Sequence, residues 1–360
     1  MPNFTGTLRS NEIFSAIYNM IISQQVFSDN IAGTNSQLVD AARVDGTLYG
    51  DTKLYYAVDV LKSVPFVQDS QEMLNLLKTH RPADPKTQAI TISNFRRIAV
   101  TTDEYMTKRA WSTPDAFGQF NSVILGMLND TKRVIDSTTY NCFIGTANGK
   151  KGDVKGLQWL DIPLSDITAT GVEKNKLVGE MIAQYIADLL VDLSDTSRDY
   201  NDYGFLRSYD INRVKIIFNK KFVNKITKLA MPEIFNKDGL VDKLNEYALP
   251  SRFFGEINAD AKLGDGTTIR SLIEQDIGSN HYFAGDLIKS SDTAPEGTSY
   301  TTDENIIAKV VVELPPYMSA FEVSTSFYNS SNLSTNTYLT FGRSDLEYLK
   351  NYPMITVHAV

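Results

Sequence analysis

The chain has 360 residues, of which 42% are hydrophobic and 11% aromatic, and carries a formal net charge of −8 at pH 7. That hydrophobic content excludes a disordered chain and favours two or three structural units, while the acidic balance argues against a dedicated nucleic-acid binder, which needs clustered Lys and Arg to neutralise phosphates. The single cysteine, Cys142, excludes an internal disulfide framework and a cysteine-based zinc cluster.

The N-terminus, MPNFTGTLRS, lacks the cationic region and apolar core of a signal peptide, and no run approaches the ~18 apolar residues of a membrane span. Folding in a reducing cytoplasm is the expectation. Ile13, Phe14, Ile17, Tyr18, Ile21 and Ile22 recur at helical spacing and predict an N-terminal helix over 11–30 with one apolar face. From Gly33 to Arg81 the composition shifts to Gly, Asp and Tyr, followed by LYYAVDVLKSVPFV with a period of two. This segment reads as a hairpin of two extended pieces projecting from a body, then a short helix over 70–78 that stops before Pro82 and Pro85. Its apolar residues Leu54, Tyr55, Val58, Val60 and Phe66 are expected to lack cover from their own body, and so to mark an interaction surface.

In QAITISNFRRIAVTTDEY, Ile90, Ile92, Ile98 and Val100 alternate with Thr91, Ser93 and Ala99, which predicts a strand with a bend or bulge at Asn94 to Arg97. After Ser112-Thr113-Pro114-Asp115, a capping residue followed by Pro at the first helical turn, a long helix begins. Phe117, Phe120, Ile124, Leu128, Thr131, Ile135 and Thr138 form its expected buried stripe, with Gln119, Asn129, Asp130, Lys132, Arg133 and Asp136 on the other faces. It ends by Gly145, giving on the order of 30 residues and ~45 Å, enough to span the molecule. Cys142 falls in its last turns among Tyr140, Phe143 and Ile144, and reads as an inert buried thiol.

A turn-rich GTANGKKGD follows. Gly145, Gly149 and Lys150 do not make a phosphate loop, because three residues rather than four separate the glycines and Lys151 stands where Ser or Thr is needed. A second amphipathic helix is predicted over Val172 to Leu193, with Val178, Met181, Ile182, Tyr185, Ile186, Leu189, Leu190 and Leu193 as its apolar stripe, packing on the same sheet as the first. Polar DTSRDYNDYG reads as a boundary. Beyond it a buried strand, Val214 to Phe218, and a helix over 220–231 open a separate α/β unit, and strand-rich sequence from Ile306 to Val360 closes the chain.

The chemistry-bearing residues do not assemble into a motif. His80, His281 and His358 fall in a pre-proline loop, a mid-domain loop and the final strand, with neither metal-ligand spacing nor an adjacent carboxylate motif. Asp195, Asp199 and Asp202, with Arg198 among them, form the densest carboxylate group and read as a solvated boundary ahead of a cation site. Lys220, Lys221, Lys225 and Lys228 read as a solvated helical face or a contact with an acidic neighbour, and Arg96-Arg97 as a pair available to acidic groups of an adjacent subunit. No catalytic, cofactor-binding or metal-binding residue is assigned, and no enzymatic activity is expected.

The order of parts nonetheless carries a resemblance. The helical SAIYNMIISQQVFSDNI arm, the extended TLYGDTKLYYAVDVLKSVPF loop, the ITISNFRRIAVTTDEYMTKRAW strand, the PDAFGQFNSVILGMLNDTKRVIDSTTYNCFIGTANG helix and the inserted NRVKIIFNKKFVNKITKL unit resemble, in that sequence, the major capsid proteins of tailed bacteriophages. The resemblance implies an α+β, HK97-type fold: an N-terminal arm at 1–33, an extended loop at 34–86, a peripheral domain with a long spine helix at 87–195 and 310–360, and an axial domain at 196–309. It implies a structural protein of the virion that self-assembles as pentamers and hexamers into an icosahedral shell in the host cytoplasm. Such a shell encloses double-stranded DNA without specific binding, uses no cofactor and touches no membrane. Scaffolding, portal and decoration proteins are the implied partners, and the lack of a long coiled-coil segment before the arm implies that any scaffold is a separate protein. Some relatives fasten the loop to a neighbour by a Lys–Asn isopeptide bond; Lys53 and Lys62 are the candidates by position, with no Asn or Glu assigned. The alternatives are another virion assembly protein, such as a tail-tube subunit, and a hydrolase built on the cluster from Asp195 to Asp202.

Overall fold

The computed structural model describes residues 36–45, 51–63, 65–66, 79–103, 114–153, 155–222, 247–257, 275–277, 280–282 and 300–360. The helices expected at 11–30 and 70–78 lie outside the described residues, as does all but the first turn of the one expected at 220–231.

Two five-stranded sheets organise the chain. The first takes β1 (Arg43–Asp45), β2 (Thr52–Ala57), β3 (Lys86–Asp103), β12 (Tyr317–Asn329) and β13 (Ser334–Ser344) in the order β1-β12-β13-β3-β2. The extended loop is therefore a hairpin of a different kind from the one read in the sequence. Its arms are not two pieces within 33–81: β2 pairs antiparallel with the start of β3, Thr52 opposite Thr91 and Ala57 opposite Lys86. From Ile92 onward β3 changes partner and runs beside β13 as far as Asp103. The irregularity expected at Asn94 to Arg97 falls slightly earlier, between Ile92 and Asn94, where the register against β13 shifts while the strand stays unbroken. The extra residue there, Ser93, turns its hydroxyl to Asp345. The stretch assigned to the extended loop also begins inside the body. Helix α1 (Gln37–Ala42) buries Leu38, Val39 and Ala42, and β1 pairs parallel with β12.

The second sheet joins β4 (Leu157–Ile162), β5 (Lys215–Asn219), β6 (Tyr247–Leu249), β11 (Ile306–Val311) and β14 (Met354–Ala359) in the order β4-β14-β11-β5-β6, with parallel and antiparallel pairs mixed. Every residue of β11 is buried, as expected for a strand covered on both faces. The covering helices are α2 (Pro114–Thr146) and α3 (Gly171–Ser194). Because side chains alternate, Ile217, Val311 and Met354 meet Tyr140, Phe143 and Ile144 of α2, whereas Ile216, Phe218, Val310 and Val357 meet Ile182, Ile186, Leu190 and Leu193 of α3. The two long helices do pack on one sheet, on opposite faces. This sheet straddles the boundaries expected at 195/196 and 309/310: β4 and α3 precede the first boundary, β5 follows it, and all five strands form one hydrogen-bonded layer. Four more short strands make two pairs: β7 (Gly255–Ile257) with β10 (Tyr300–Thr302), and β8 (Gln275–Ile277) with β9 (Asn280–Tyr282).

Helix α2 spans 33 residues, about 50 Å. Its buried face differs from the expected stripe beyond Leu128. Thr131, Ile135 and Thr138 are only half-buried, while Lys132 and Asp136, expected on an outer face, are buried. Asp136 accepts from the Tyr317 hydroxyl and lies 3.5 Å from Lys132 Nζ and 3.9 Å from Arg43, so the charges enter the interior as a paired set. Beyond Thr139 the helix runs between α1, both sheets and the Phe253–Phe254 turn, and is buried nearly all round.

Candidate assembly surface

The residues weighed for chemistry are dispersed by the fold. His80 is exposed in its loop, and His281 lies on β9 instead of in a loop. His358, on β14, has Nε2 3.1 Å from Asp303 and Nδ1 3.4 Å from Asp161, two carboxylates remote in sequence. Trp159 stacks at 4.8 Å and gives its indole N–H to Asp161. Burial acts to raise the Asp161 carboxyl, but the Lys151 ammonium and the Trp159 donor outweigh it and hold the group below its ordinary value. The arrangement ties β4 and β14 to the turn before β11, a structural clamp.

The acidic cluster dissolves in the same way. Asp202 accepts from the Tyr348 hydroxyl, its amide binds the Lys350 carbonyl, and the Asp199 carbonyl accepts from Gln158. Gly156 lets this happen: its φ is +62°, and a Cβ there would lie 1.8 Å from the Asp202 carboxylate. Buried Asn201 caps Phe205 through both backbone groups, so the polar stretch read as a boundary is a loop fastened to 348–352. Among the described residues no group of His, Cys, Asp and Glu is arranged to hold a metal ion. Cys142 is fully buried, and burial pushes its thiol up, away from reactivity. Lys221 pairs with Glu304, Arg97 lies over the Tyr338 ring, and Lys225 and Lys228 lie outside the described residues.

Lys309 was not singled out in the sequence. It is fully buried on β11, and its ammonium nitrogen donates to the Ala147 carbonyl at 2.9 Å, to Thr356 Oγ1 at 2.8 Å and to Asn148 Oδ1. Desolvation holds its pKa well below the ordinary lysine value. It bolts the end of α2 to the second sheet.

What the surface offers is apolar area. Beginning at β2, Leu54, Tyr56, Val58, Val60, Leu61 and Phe66 are all at least half exposed, the last at 78%. Tyr55, expected among them, points the other way and packs on Ile90, Ile92 and Leu349, as strand alternation requires. Lys53 is half-buried on this strand and Lys62 is exposed beyond it. The limb is fixed at its root. Asp59 accepts from Arg198 Nη1 at 2.9 Å and from the Leu206 amide at 3.0 Å, and Arg207 donates to the Val58 carbonyl at 2.7 Å. The Leu206 amide and Arg198 hold the Asp59 carboxyl down to about 2. Arg198 lies in sequence among the Asp cluster, but its Nη1 joins the Gly204 carbonyl to Asp59, 139 residues away, a partner that no local pattern announces. A second exposed region is the far end of the first sheet, where β3, β12 and β13 leave the body, with Phe327, Tyr328 and Leu333 on its surface.

A mixed fold of this kind, with a spine helix tying a long-stranded sheet to a mixed one and an apolar limb held outside both cores, is that of the HK97-type phage capsid proteins. The chain belongs to the Phi29-like phage major capsid protein family, whose model matches residues 7–342. It is a structural protein of the phage capsid shell. Among solved structures it is similar to one titled for the capsid of Staphylococcus phage Andhra, at 11% identity and a TM-score of 0.58, covering 93% of this chain and 87% of that one. It is likewise similar to a chain in a structure of the head fiber and inner core protein of bacteriophage P68, at 9% identity and a TM-score of 0.59, covering 89% and 83%. At these identities the likeness concerns the fold. No curated protein matches the chain.

Proposed function

We propose that this capsid protein closes an icosahedral shell as pentamers and hexamers around double-stranded DNA, with the limb from Leu54 to Phe66 laid over a neighbouring subunit. The observation that carries this reading is the limb itself: a series of large apolar groups left exposed on a segment that Arg198 and Arg207 anchor to the body at Val58 and Asp59. Groups of that size exposed together mark an interaction surface, and obligate interfaces of several thousand Å² are built from such surfaces. The topology supports a division of roles. In this reading α2 and the sheet of β1, β12, β13, β3 and β2 form the peripheral part, and the layer of β4, β14, β11, β5 and β6, with the chain inserted between β5 and β11, forms the axial part. The net charge of −8 suits a wall that packaged DNA can slide along. Assembly in the host cytoplasm, with scaffolding, portal and decoration proteins as partners, belongs to the same proposal, as does the absence of catalysis.

The test is expression of the wild-type chain beside a Leu61→Asp, Phe66→Asp double variant, with particles counted by negative-stain imaging and sedimentation. The wild type is expected to give closed shells and the variant soluble subunits with an unchanged circular dichroism spectrum. Shells from both in equal yield, or a strictly monomeric wild type at high concentration, overturn the reading; rings or tubes of one symmetry point instead to a tail component.

A further inference from the structure

Beyond Ser319, β12 has β13 on one side and, among the described residues, no strand on the other. The unpaired edge continues to Asn329, about ten residues and ~33 Å at the usual rise per residue. Ser324 to Tyr328 are exposed on both faces of the sheet, with Phe327 63% and Tyr328 45% accessible. The strand pairs without irregularity here, since the register shift lies upstream between Ala320 and Glu322. Proteins usually blunt such an edge with Lys, Pro or a bulge. The stretch Ser324-Thr325-Ser326-Phe327-Tyr328-Asn329 has no charge and no proline, and Thr325, Phe327 and Tyr328 are strong strand formers. The outer edge of the same tip, on β3, runs from Ile98 to the acidic Asp103, while Arg96 and Arg97 lie nearer the body, level with Glu322 and Val323 of β12.

We infer that the outer edge of β12 pairs antiparallel with the same edge of a second copy of this chain across a twofold axis, making one continuous sheet of the two tips. The inference rests on the shell-forming reading above and adds a specific contact to it. The second copy is the occupant because the edge is complementary to itself. A twofold axis normal to the sheet sets each residue opposite one of the same face, as an isologous contact requires. With Ser326 on the axis, Thr325 faces Phe327 of the second copy and Ser324 faces its Tyr328. These are β-branched–aromatic and hydroxyl–hydroxyl pairs, both favourable across strands. An uncharged segment brings no like charges opposite each other, so self-pairing costs nothing electrostatically. The backbone N–H and C=O groups on the open side then gain partners.

The experiment is a cysteine scan of Ser324, Thr325, Ser326, Phe327 and Tyr328, one at a time, in assembled particles treated with a mild oxidant and run on a non-reducing gel. The native Cys142 is buried and stays silent. Directly opposed residues of an antiparallel pair lie within disulfide reach, whereas a residue two positions off the axis is ~13 Å from its own copy. A covalent dimer is therefore expected at one position, several-fold stronger than at positions two residues away. Particles that form but crosslink at no position, or equally at all five, overturn the inference while leaving the shell reading intact; failure of the wild type to form particles overturns that reading instead. Imaging the wild-type shell at side-chain resolution supplies an independent readout. A sheet continuous through β12 across a twofold axis supports the inference, and a β12 edge facing solvent or covered by another segment refutes it.

Discussion

Lys309 shows how much a single buried group depends on its surroundings. Its three acceptors match the three protons of an ammonium, yet desolvation favours the neutral amine and lowers its pKa. The native chain thus releases this proton at a lower pH than the unfolded chain does. Between the lowered value and 10.5 the unfolded state binds more protons, so the group's contribution to stability rises with pH. Lys309→Met keeps the bulk but removes the donors. The variant is expected to be less stable by about 2 kcal/mol near pH 9, from acceptors left unsatisfied, with the gap narrowing as the pH falls. Denaturant midpoints measured across that range check this; a constant gap refutes it. The sequence shows an isolated lysine in the run IIAKVVVEL and nothing of its partners, which come from α2 and β14.

At the scale of the element, α2 tests intrinsic propensity against packing. Gly145 lies in its last turn, where Gly→Ala in an isolated helix gains about 1 kcal/mol. Here a Cβ would meet the Phe253 carbonyl oxygen at 1.9 Å, and backbone cannot step aside as a side chain can. Gly145→Ala is expected to destabilise the protein by about 2 kcal/mol or more, read as a fall in the thermal midpoint. An unchanged or raised midpoint contradicts the packing. The helix's existence and length were legible from its Ser-Thr-Pro start and apolar spacing. Its buried face was not, because Asp136 reads as solvent-facing until Tyr317 and Arg43, brought by β12 and β1, give it partners, and Lys132 until it pairs with Asp136 over the Phe341 ring. Helix α3 was read more accurately, since Ile182, Ile186, Leu189, Leu190 and Leu193 meet an apolar sheet and need no polar company.

For the whole molecule, the end of α2 joins the two sheets. Tyr140 packs with Phe143 and, edge-on, with Tyr317 of the first sheet, and the same cluster takes in Ile217, Val311 and Met354 of the second. The sheets therefore share a core, and loss of that core is expected to unfold both together. Val310→Ala in the second sheet and Leu339→Ala in the first are each expected to destabilise the protein by about 2 kcal/mol and to lower the midpoint of one common transition. Two separate transitions in calorimetry, each moved by one substitution alone, contradict this coupling.

The amino-acid order by itself determined the repertoire of parts: a spine helix, a second amphipathic helix, alternating strands and an apolar limb. Each is set by local periodicity and capping, which neighbouring residues decide among themselves. Only the tertiary structure decided which strands share a sheet, that β5 and β14 meet in the layer that α2 and α3 cover from opposite faces, and that Arg198 and Arg207 hold the limb at its root. Those choices join residues from about thirty to more than two hundred positions apart, and pairings over such distances leave no periodic trace in the chain.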